Sequence, residues 1–153
     1  MTTNEKIEEN LKKALIEKNA FLTSVLRLLR AALINAEIEL RPKKQEMTEE
    51  KVIEVIQREI KKRKDSIEAF NQGGRQDLVE KEKGELEILS SYLPEQLSDD
   101  KIRGVVKAKI AEINAEGPKD FGRVMGIVTK ETRGKADGAK VSQIVKEELG
   151  KLK

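Results

Sequence analysis

This chain of 153 residues contains no cysteine and no histidine. Their absence excludes disulfides, thiol nucleophiles, metal sites built from Cys or His, and any Ser-His-Asp catalytic relay. Carboxylates, lysines and hydroxyl groups are the side chains that remain for acid–base or nucleophilic chemistry. The sequence also contains no phosphate-binding glycine loop, nucleophile elbow or metal motif. We therefore expect no metal and no cofactor.

Long apolar runs are also absent. They reach about four residues, whereas a membrane-spanning helix needs about 20, and the charged N-terminus differs from a signal sequence. These two features predict a soluble, intracellular protein of the cytoplasm with no membrane partner. Tryptophan is missing and aromatic residues make up 3% of the chain, so we expect no platform of aromatic rings on which bases stack.

Charged residues make up 39% of the chain and apolar residues 37%. This balance is typical of a helical protein whose helices carry narrow apolar stripes and solvated outer faces. The net charge is +3, and residues 98–153 hold 13 Lys and Arg against 9 Asp and Glu. The positive excess in that region slightly favours an anionic partner.

Apolar residues spaced three or four apart predict four helices in the N-terminal part of the chain. Their limits are Thr2 to about Asn19, Leu22–Leu40, Thr48 to Gly73, and about Arg75 to Tyr92. Thr2 with Glu5 indicates a capping box, and Thr48 indicates an N-cap. The residues expected to face inward include Leu15 in the first helix and Leu78, Leu86, Leu89 and Leu93 in the fourth.

Pro94 marks the predicted boundary between two parts, because proline forces the preceding residue out of helical geometry and Ser98 offers a new N-cap. Three shorter helices follow, around the apolar residues of Ile102–Ile113, Phe121–Val128 and Val141–Leu149. No stretch alternates long enough to predict a strand. The predicted fold is all-α: a four-helix antiparallel part at residues 1–95, then a small three-helix bundle at residues 96–153.

Four glycines lie within seventeen positions of the C-terminal part: Gly122, Gly126, Gly134 and Gly138. Glycine inside a helix costs about 0.5–1 kcal/mol relative to alanine. Gly122 and Gly126, four apart on one helical face, therefore predict a place where another backbone or a flat ligand surface comes close. Gly134 is expected to end one helix in the left-handed conformation, and Asp137 to cap the next helix.

The segments Asp120–Gly126 and Arg133–Lys140, followed by a V-x-x-I-V helix, resemble the C-terminal half of the YqeY family. The resemblance extends to Ser90–Ser98 at the boundary and to Leu26–Glu39 near the start, and so covers nearly the whole chain. That family is related to the tail domain of the B subunit of the tRNA-dependent glutamine amidotransferase, a carbon–nitrogen ligase with glutamine as amido donor. The resemblance implies a bacterial protein related to that enzyme, whose reactive sites lie in other domains and subunits.

The matching positions form a candidate RNA site, in which basic residues meet phosphates and glycines let the ribose-phosphate surface approach the main chain. Its members are Gly122, Arg123, Gly126, Lys130, Arg133, Gly134, Lys135, Gly138 and Lys140. The resemblance implies tRNA as the partner, since the amidotransferase tail domain contacts tRNA. The alternative is an ordinary solvated face around a helix connection.

Two other polar clusters have simpler interpretations. Lys61–Lys64 point all round a helix with acidic residues nearby, so a solvated helix is expected. The polar residues of the second helix are expected to form a buried seam against the third or fourth helix, with a partner face as the alternative. They are Arg27, Arg30, Asn35, Glu37, Glu39 and Arg41.

The leading functional hypothesis is a non-catalytic tRNA-binding module or an accessory protein of the amidotransferase. The rival is a helical adaptor, whose N-terminal helices dock an aminoacyl-tRNA synthetase or amidotransferase subunits while the C-terminal bundle is structural. An enzyme of unrecognised type is the third hypothesis. Ser90 and Ser91 lie near lysines in the sequence, but the glycine-serine-rich loop that a Ser-Lys nucleophile needs is missing.

Overall fold

The computed structural model describes residues 1–152, which form seven α-helices and two short 3-10 turns and contain no β-strand. The helices are α1 Thr3–Ile16, α2 Ala20–Leu40, α3 Glu49–Gln72, α4 Gln76–Ser90, α5 Asp99–Glu112, α6 Phe121–Thr132 and α7 Gly138–Gly150. The predicted all-α fold, with four helices followed by three, is confirmed. The chain divides into two compact units, Met1–Leu93 and Pro94–Lys153.

Three helix starts lie at the N-caps expected from the sequence, whereas Asn19, expected at the end of the first helix, instead caps α2. The Thr2 hydroxyl accepts a hydrogen bond from the Glu5 amide, and the Glu5 carboxylate accepts one from the Thr2 amide, each at 3.1 Å. The Thr48 and Ser98 hydroxyls cap α3 and α5, each accepting from the amide three residues later at 3.2 Å. These bonds satisfy amide groups that have no partner inside the helix. The starts of these three helices are therefore encoded locally.

The core of the first unit contains residues from all four of its helices, including Ile7, Leu26, Ile56 and Leu89. Leu15, expected to face inward, is instead 46% exposed. It lies in the last turn of α1, at the edge of the stripe formed by the buried residues of that helix. The prediction for Leu15 was therefore wrong, because the helix ends before that edge is covered.

A largely buried ion pair joins α3 and α4 in addition to their apolar contacts. Arg63 Nε lies 2.8 Å from a carboxylate oxygen of Glu85, which is 5% exposed. Glu82 lies next to both groups, and burial followed by repulsion from Glu85 raises the pKa of Glu82. The neighbours of Arg63 in the basic run, Lys61, Lys62 and Lys64, are exposed, as expected for a solvated helix.

The polar residues of α2 do not form a buried seam. All six positions predicted to build it are exposed, and Arg30 pairs with Glu8 of α1 at 2.9 Å. The side of α2 that faces the core is filled by four residues of the segment Val25–Leu33, so no polar side chain is needed there. The seam interpretation is therefore wrong, and the polar residues lie on the open sides of the helix.

The second unit packs α5, α6 and α7 around a core of their aliphatic residues, among them Val106, Val124 and Val145. The ammonium group of Lys146 lies 5.7 Å from the centre of the Phe121 ring, which joins α7 to the start of α6. None of the helices in residues 1–152 combines the length and the apolar character needed to cross a membrane.

Candidate nucleic-acid interface

Helix α6 exposes its two glycines on the side away from the core. Val124 and Val128 are fully buried, whereas Gly122 and Gly126 are exposed. A Cβ atom added at either glycine would meet nothing within 4 Å. No other part of the described fold therefore comes close to them. The sequence predicted that either another backbone or a ligand surface approaches these glycines, and the structure excludes a backbone of the same fold.

Lys130 and Arg133 continue the same side of α6. The spacing of four, four and three residues from Gly122 to Arg133 keeps all four positions on one helical face, because a helix turns once in about 3.6 residues. Both basic residues are exposed. Lys130 pairs with no other side chain in the described part of the protein. We call Gly122, Gly126, Lys130 and Arg133 the α6 strip.

Arg123 and Lys140 are engaged elsewhere. Arg123 Nη1 lies 3.2 Å from an Asp120 carboxylate oxygen, and the same guanidinium points Nη2 at the carbonyl of Ile113 at 3.4 Å. Lys140 Nζ lies 3.2 Å from Asp99 at the start of α5. Both side chains are partly neutralised, so the structure does not present the predicted basic residues as one continuous cluster of free charges.

Asp120 anchors the start of α6. The residue is 8% exposed, and its carboxylate accepts a hydrogen bond from the Glu116 amide at 2.8 Å. That hydrogen bond is the largest cause of a lowered pKa of Asp120, and the positive charges of Arg123 and Lys119 lower it further. A carboxylate held ionised in this way keeps Arg123 in place beside it.

The turn between α6 and α7 is held by the segment before α5. Gly134 adopts φ 77°, which confirms the left-handed helix end expected there, and its carbonyl accepts a hydrogen bond from Gln96 Nε2 at 2.9 Å. Leu97 donates its amide to the Lys135 carbonyl at 2.8 Å. Asp137 then caps α7 by accepting from the Ala139 amide at 3.2 Å.

The turn leaves two of the predicted site residues open to solvent. The side chain of Lys135 is exposed and pairs with none of the described residues. Gly138, the first residue of α7, is exposed and has nothing within 4 Å of an added Cβ. Gly134, in contrast, is buried and serves the backbone geometry of the turn, so it does not provide a surface for a ligand.

Gln96 is the residue at this site that the sequence analysis did not single out. It sits in the boundary segment and its side chain spans 38 positions of sequence to reach Gly134. A glutamine two residues after a proline carries no pattern that predicts such a contact. Its proximity to the turn arises only when the three helices pack.

The comparison with protein families finds a match to a family model described as Yqey-like protein, over residues 4–149. Three similar curated proteins come from fungi, and each is named altered inheritance of mitochondria protein 41, mitochondrial. The protein of Pyrenophora tritici-repentis is 32% identical over 148 residues, which cover 95% of this chain and 80% of the relative.

Two further relatives carry the same name. The protein of Lachancea thermotolerans is 32% identical over 114 residues, which cover 73% of this chain and 60% of the relative. The protein of Saccharomyces cerevisiae is 36% identical over 87 residues, which cover 57% and 46%. This chain thus spans less than two thirds of the length of these two relatives.

The names of these relatives describe mitochondrial proteins, and the organisms are fungi. They therefore do not support the expectation of a bacterial protein of the cytoplasm. The family model and the relative from Pyrenophora tritici-repentis both match almost the whole of the chain, in agreement with the resemblance seen in its sequence. The chain belongs to the YqeY family.

Proposed function

We propose that the second unit binds RNA through the α6 strip and Lys135, with tRNA as the RNA. The observation that carries the proposal is the pair of exposed helix glycines, Gly122 and Gly126, beside the unpaired Lys130. Each glycine costs a helix about 0.5–1 kcal/mol relative to alanine, and the fold gains no packing in return. A surface of glycines beside unpaired lysines suits the close approach of a ribose-phosphate backbone.

The choice of tRNA, and the role of an accessory to the glutamine amidotransferase, rest on the kinship of the YqeY family with the tail domain of that enzyme. The proposal assigns no catalytic residue to this chain. A tRNA-binding role suits both the cytoplasm, expected from the sequence, and mitochondria, named for the fungal relatives.

The test measures binding of bulk tRNA to the full chain by fluorescence anisotropy as a function of salt. The variant Lys130→Glu/Lys135→Glu removes the two unpaired cations of the site. Its matched control is Lys12→Glu/Lys61→Glu, which removes two exposed and unpaired lysines of the first unit and changes the net charge by the same amount.

The site variant is expected to bind more weakly than the control. Log K falls as log salt rises, and this fall should become less steep in the site variant. The slope should change by about one for each phosphate that a lysine no longer neutralises. Both variants should melt close to the wild type, because an exposed charge contributes about 0–1 kcal/mol. An equal decrease in affinity for the two variants would mean that only net charge matters. A wild-type chain that does not bind tRNA even at low salt would overturn the proposal.

A second candidate function is the helical adaptor, and one observation favours it. The adaptor needs an uncovered apolar surface in the first unit, and α2 leaves Leu28, Ile34 and Ile38 about half exposed on the side away from its core. In that case a synthetase or amidotransferase subunit would be recovered with the wild-type chain, and its capture would survive Lys130→Glu/Lys135→Glu.

A further inference from the structure

The far end of α3 and the beginning of α4 extend beyond the core of the first unit. The last residue of α3 in that core is Ile60, and α4 joins it from Leu86 onward. We call residues 64–81, with the turn at Gly73, the arm. Within the arm, Val79 is fully buried but does not belong to the core cluster. How firmly the arm follows the core therefore depends on the contacts at its base.

A cluster of one guanidinium and three carboxylates lies at the base of the arm. Arg63 Nε lies 2.8 Å from an oxygen of Glu85 and 3.5 Å from an oxygen of Glu82. Arg63 Nη1 lies 3.9 Å from an oxygen of Glu59. The side chains of Arg63 and Glu82 are each 17% exposed, and that of Glu85 is 7% exposed. These charges are largely removed from water, so a charge left unbalanced among them is costly.

The positive charges of this cluster do not match its negative charges. Lys62 Nζ lies 3.4 Å from Glu59, so Glu59 has a cation of its own. Arg63 is left to serve both Glu82 and Glu85, and its Nε carries a single hydrogen, which cannot be donated fully to two carboxylates. The oxygen of Glu82 nearest to it is buried and makes no hydrogen bond in the described part of the chain. One carboxylate of this pair is thus in excess.

We propose that Glu82 and Glu85 together hold one proton, and that this proton joins the arm firmly to the core of the first unit. Two carboxylates three residues apart share one face of a helix, and with little water around them they cannot both stay ionised without cost. With the proton on Glu82, its hydroxyl donates to Glu85, which keeps its contact with Arg63. The charges of the cluster then balance, and α4 stays attached to α3 at this level.

The charges closest to Glu82 agree with a bound proton. Burial, and then the charge of Glu85, raises the pKa of Glu82, whereas Arg63 and Lys81 act in the opposite sense. Lys81 is exposed, so water and salt screen its charge. The attraction of the two cations therefore does not outweigh burial and repulsion.

The other helices of the first unit bring no buried positive charge to this cluster in the part of the chain that the structure describes. Helix α2 packs against α4 with the ring of Phe21 beside Gly84, and its charged residues are exposed. The charged residues of α1 are also exposed except Glu8, which is half-buried and pairs with Arg30 of α2 at 2.9 Å. The balance of charge at the base of the arm is thus decided between α3 and α4.

The proton makes the attachment of the arm depend on pH. When the arm is loose and open to water, the pKa of Glu82 returns to the ordinary value of about 4.3. The attached arm, with its raised pKa, is therefore stabilised most below that ordinary value, and the stabilisation is lost as the pH rises through the raised pKa. The opening equilibrium should change by about tenfold for each pH unit that separates the two pKa values.

Carbon NMR of the full chain, labelled at the glutamate carboxyl carbons, measures the titration directly. The resonance of Glu82 is identified by its absence in Glu82→Gln. Its midpoint should lie above about 4.3 in the wild type and should fall in Glu85→Gln, which removes the second carboxylate. The control is Glu87→Gln, at an exposed and unpaired glutamate of the same helix, and it should leave the midpoint unchanged. A wild-type midpoint at or below about 4.3 would overturn the proposal.

Hydrogen exchange of the full chain measures the effect on the arm. Protection factors, which correct for the intrinsic pH dependence of exchange, are compared at a pH below the midpoint of Glu82 and at one well above it. The amides of residues 64–81 should lose protection in the wild type and in Glu87→Gln, by the factor that the titration sets, whereas those of α2 should keep it. Glu82→Gln cannot titrate at this position and should keep its arm protected at both pH values.

Three results of this experiment contradict the proposal. Constant protection of the arm in the wild type would show that the proton is not coupled to the arm. An equal loss in Glu82→Gln and the wild type would place the responsible group elsewhere. An equal loss in the arm and in α2 would show that the proton acts on the whole first unit.

Discussion

The side-chain amide of Gln96 donates a hydrogen bond to the backbone carbonyl of Gly134 at 2.9 Å. The next residue, Leu97, donates its backbone amide to the carbonyl of Lys135 at 2.8 Å. Two adjacent residues before α5 therefore hold two adjacent residues of the turn between α6 and α7. The position of Lys135, the unpaired cation of the turn, depends on this segment.

The first prediction concerns where the second unit begins. A fragment of residues 94–153 should fold cooperatively, and a fragment of residues 98–153 should be less stable. The shorter fragment lacks the two hydrogen bonds to the turn, worth about 0.5–1.5 kcal/mol each, and the partly buried Leu97. Urea unfolding followed by circular dichroism measures the difference. Equal stabilities would show that the segment before α5 contributes nothing to the fold, and two disordered fragments would show that the units share one core.

The second prediction separates two glycines of the same region. Gly134→Ala should lower the free energy of unfolding by about 1–2 kcal/mol, because its φ of 77° is strained for any residue with a side chain. Gly138→Ala is the matched control. It lies at the first residue of α7 in open space and should be neutral or slightly stabilising. Denaturant midpoints of the two variants should therefore move in different directions or by clearly different amounts.

The third prediction concerns the glycines of the α6 strip. Gly126→Ala should raise the free energy of unfolding by up to about 1 kcal/mol, because alanine is the better helix former and its Cβ meets nothing. The same variant should weaken tRNA binding if the ribose-phosphate backbone approaches Gly126. Gly104→Ala, at another exposed helix glycine with open space around it, should stabilise to a similar degree and leave tRNA binding unchanged.

Stability and binding are measured on the same protein samples, by thermal melts and by anisotropy. A more stable Gly126→Ala variant with unchanged affinity would remove that glycine from the proposed interface. A destabilised variant would contradict the open surroundings of Gly126 in the structure.

The fourth prediction concerns acid. Hydrogen bonds from Arg103, and then from Lys151, lower the pKa of Glu148 below its ordinary range. A carboxyl whose pKa is lowered by folding stabilises the protein above the pKa of the unfolded chain, about 4.3 for glutamate, and loses that contribution as the pH falls toward the folded value. The wild type should therefore lose more stability between pH 6 and pH 3 than Glu148→Gln, in which the amide does not titrate.

Urea unfolding at several pH values measures this difference. Glu95→Gln is the control, since Glu95 is exposed and unpaired in the same unit, and its pH profile should follow the wild type. If the profiles of the wild type and Glu148→Gln were parallel, folding would not lower the pKa of Glu148, and the prediction would be contradicted.

The helix boundaries followed from local signals. The capping box of Thr2 and the cap of Ser98 lie where the sequence predicted them, because a cap involves residues only three apart and needs no tertiary contact. The left-handed Gly134 and the cap of Asp137 were predictable for the same reason. Leu15 was not, since its burial depends on what covers the last turn of α1.

Gly84 shows the limit of local reasoning. In the sequence it is an unexplained glycine in the middle of α4. In the structure a Cβ added there would lie 3.2 Å from the ring of Phe21 on α2. The space at Gly84 is thus limited by an aromatic ring far earlier in the chain, a contact that no periodic pattern reveals.

The candidate site was predicted as a set of residues but not as a surface. The sequence placed Gly122, Gly126 and Lys130 on one helical face, because helical periodicity alone decides that. Whether Arg123 and Lys140 are free could not be read from it. The ion pair of Arg123 with Asp120 forms at the start of α6, and the ion pair of Lys140 with Asp99 forms only because α7 packs beside α5.

The sequence by itself determined the all-α class, the number of helices and the starts of α1, α3, α5 and α7, because helical periodicity and caps act over a few residues. The tertiary structure decided which glycines are open, which cations are unpaired and which apolar residues of α2 stay uncovered. These properties depend on contacts between residues far apart in the chain, and exposure is a property of the packed helices rather than of any one of them.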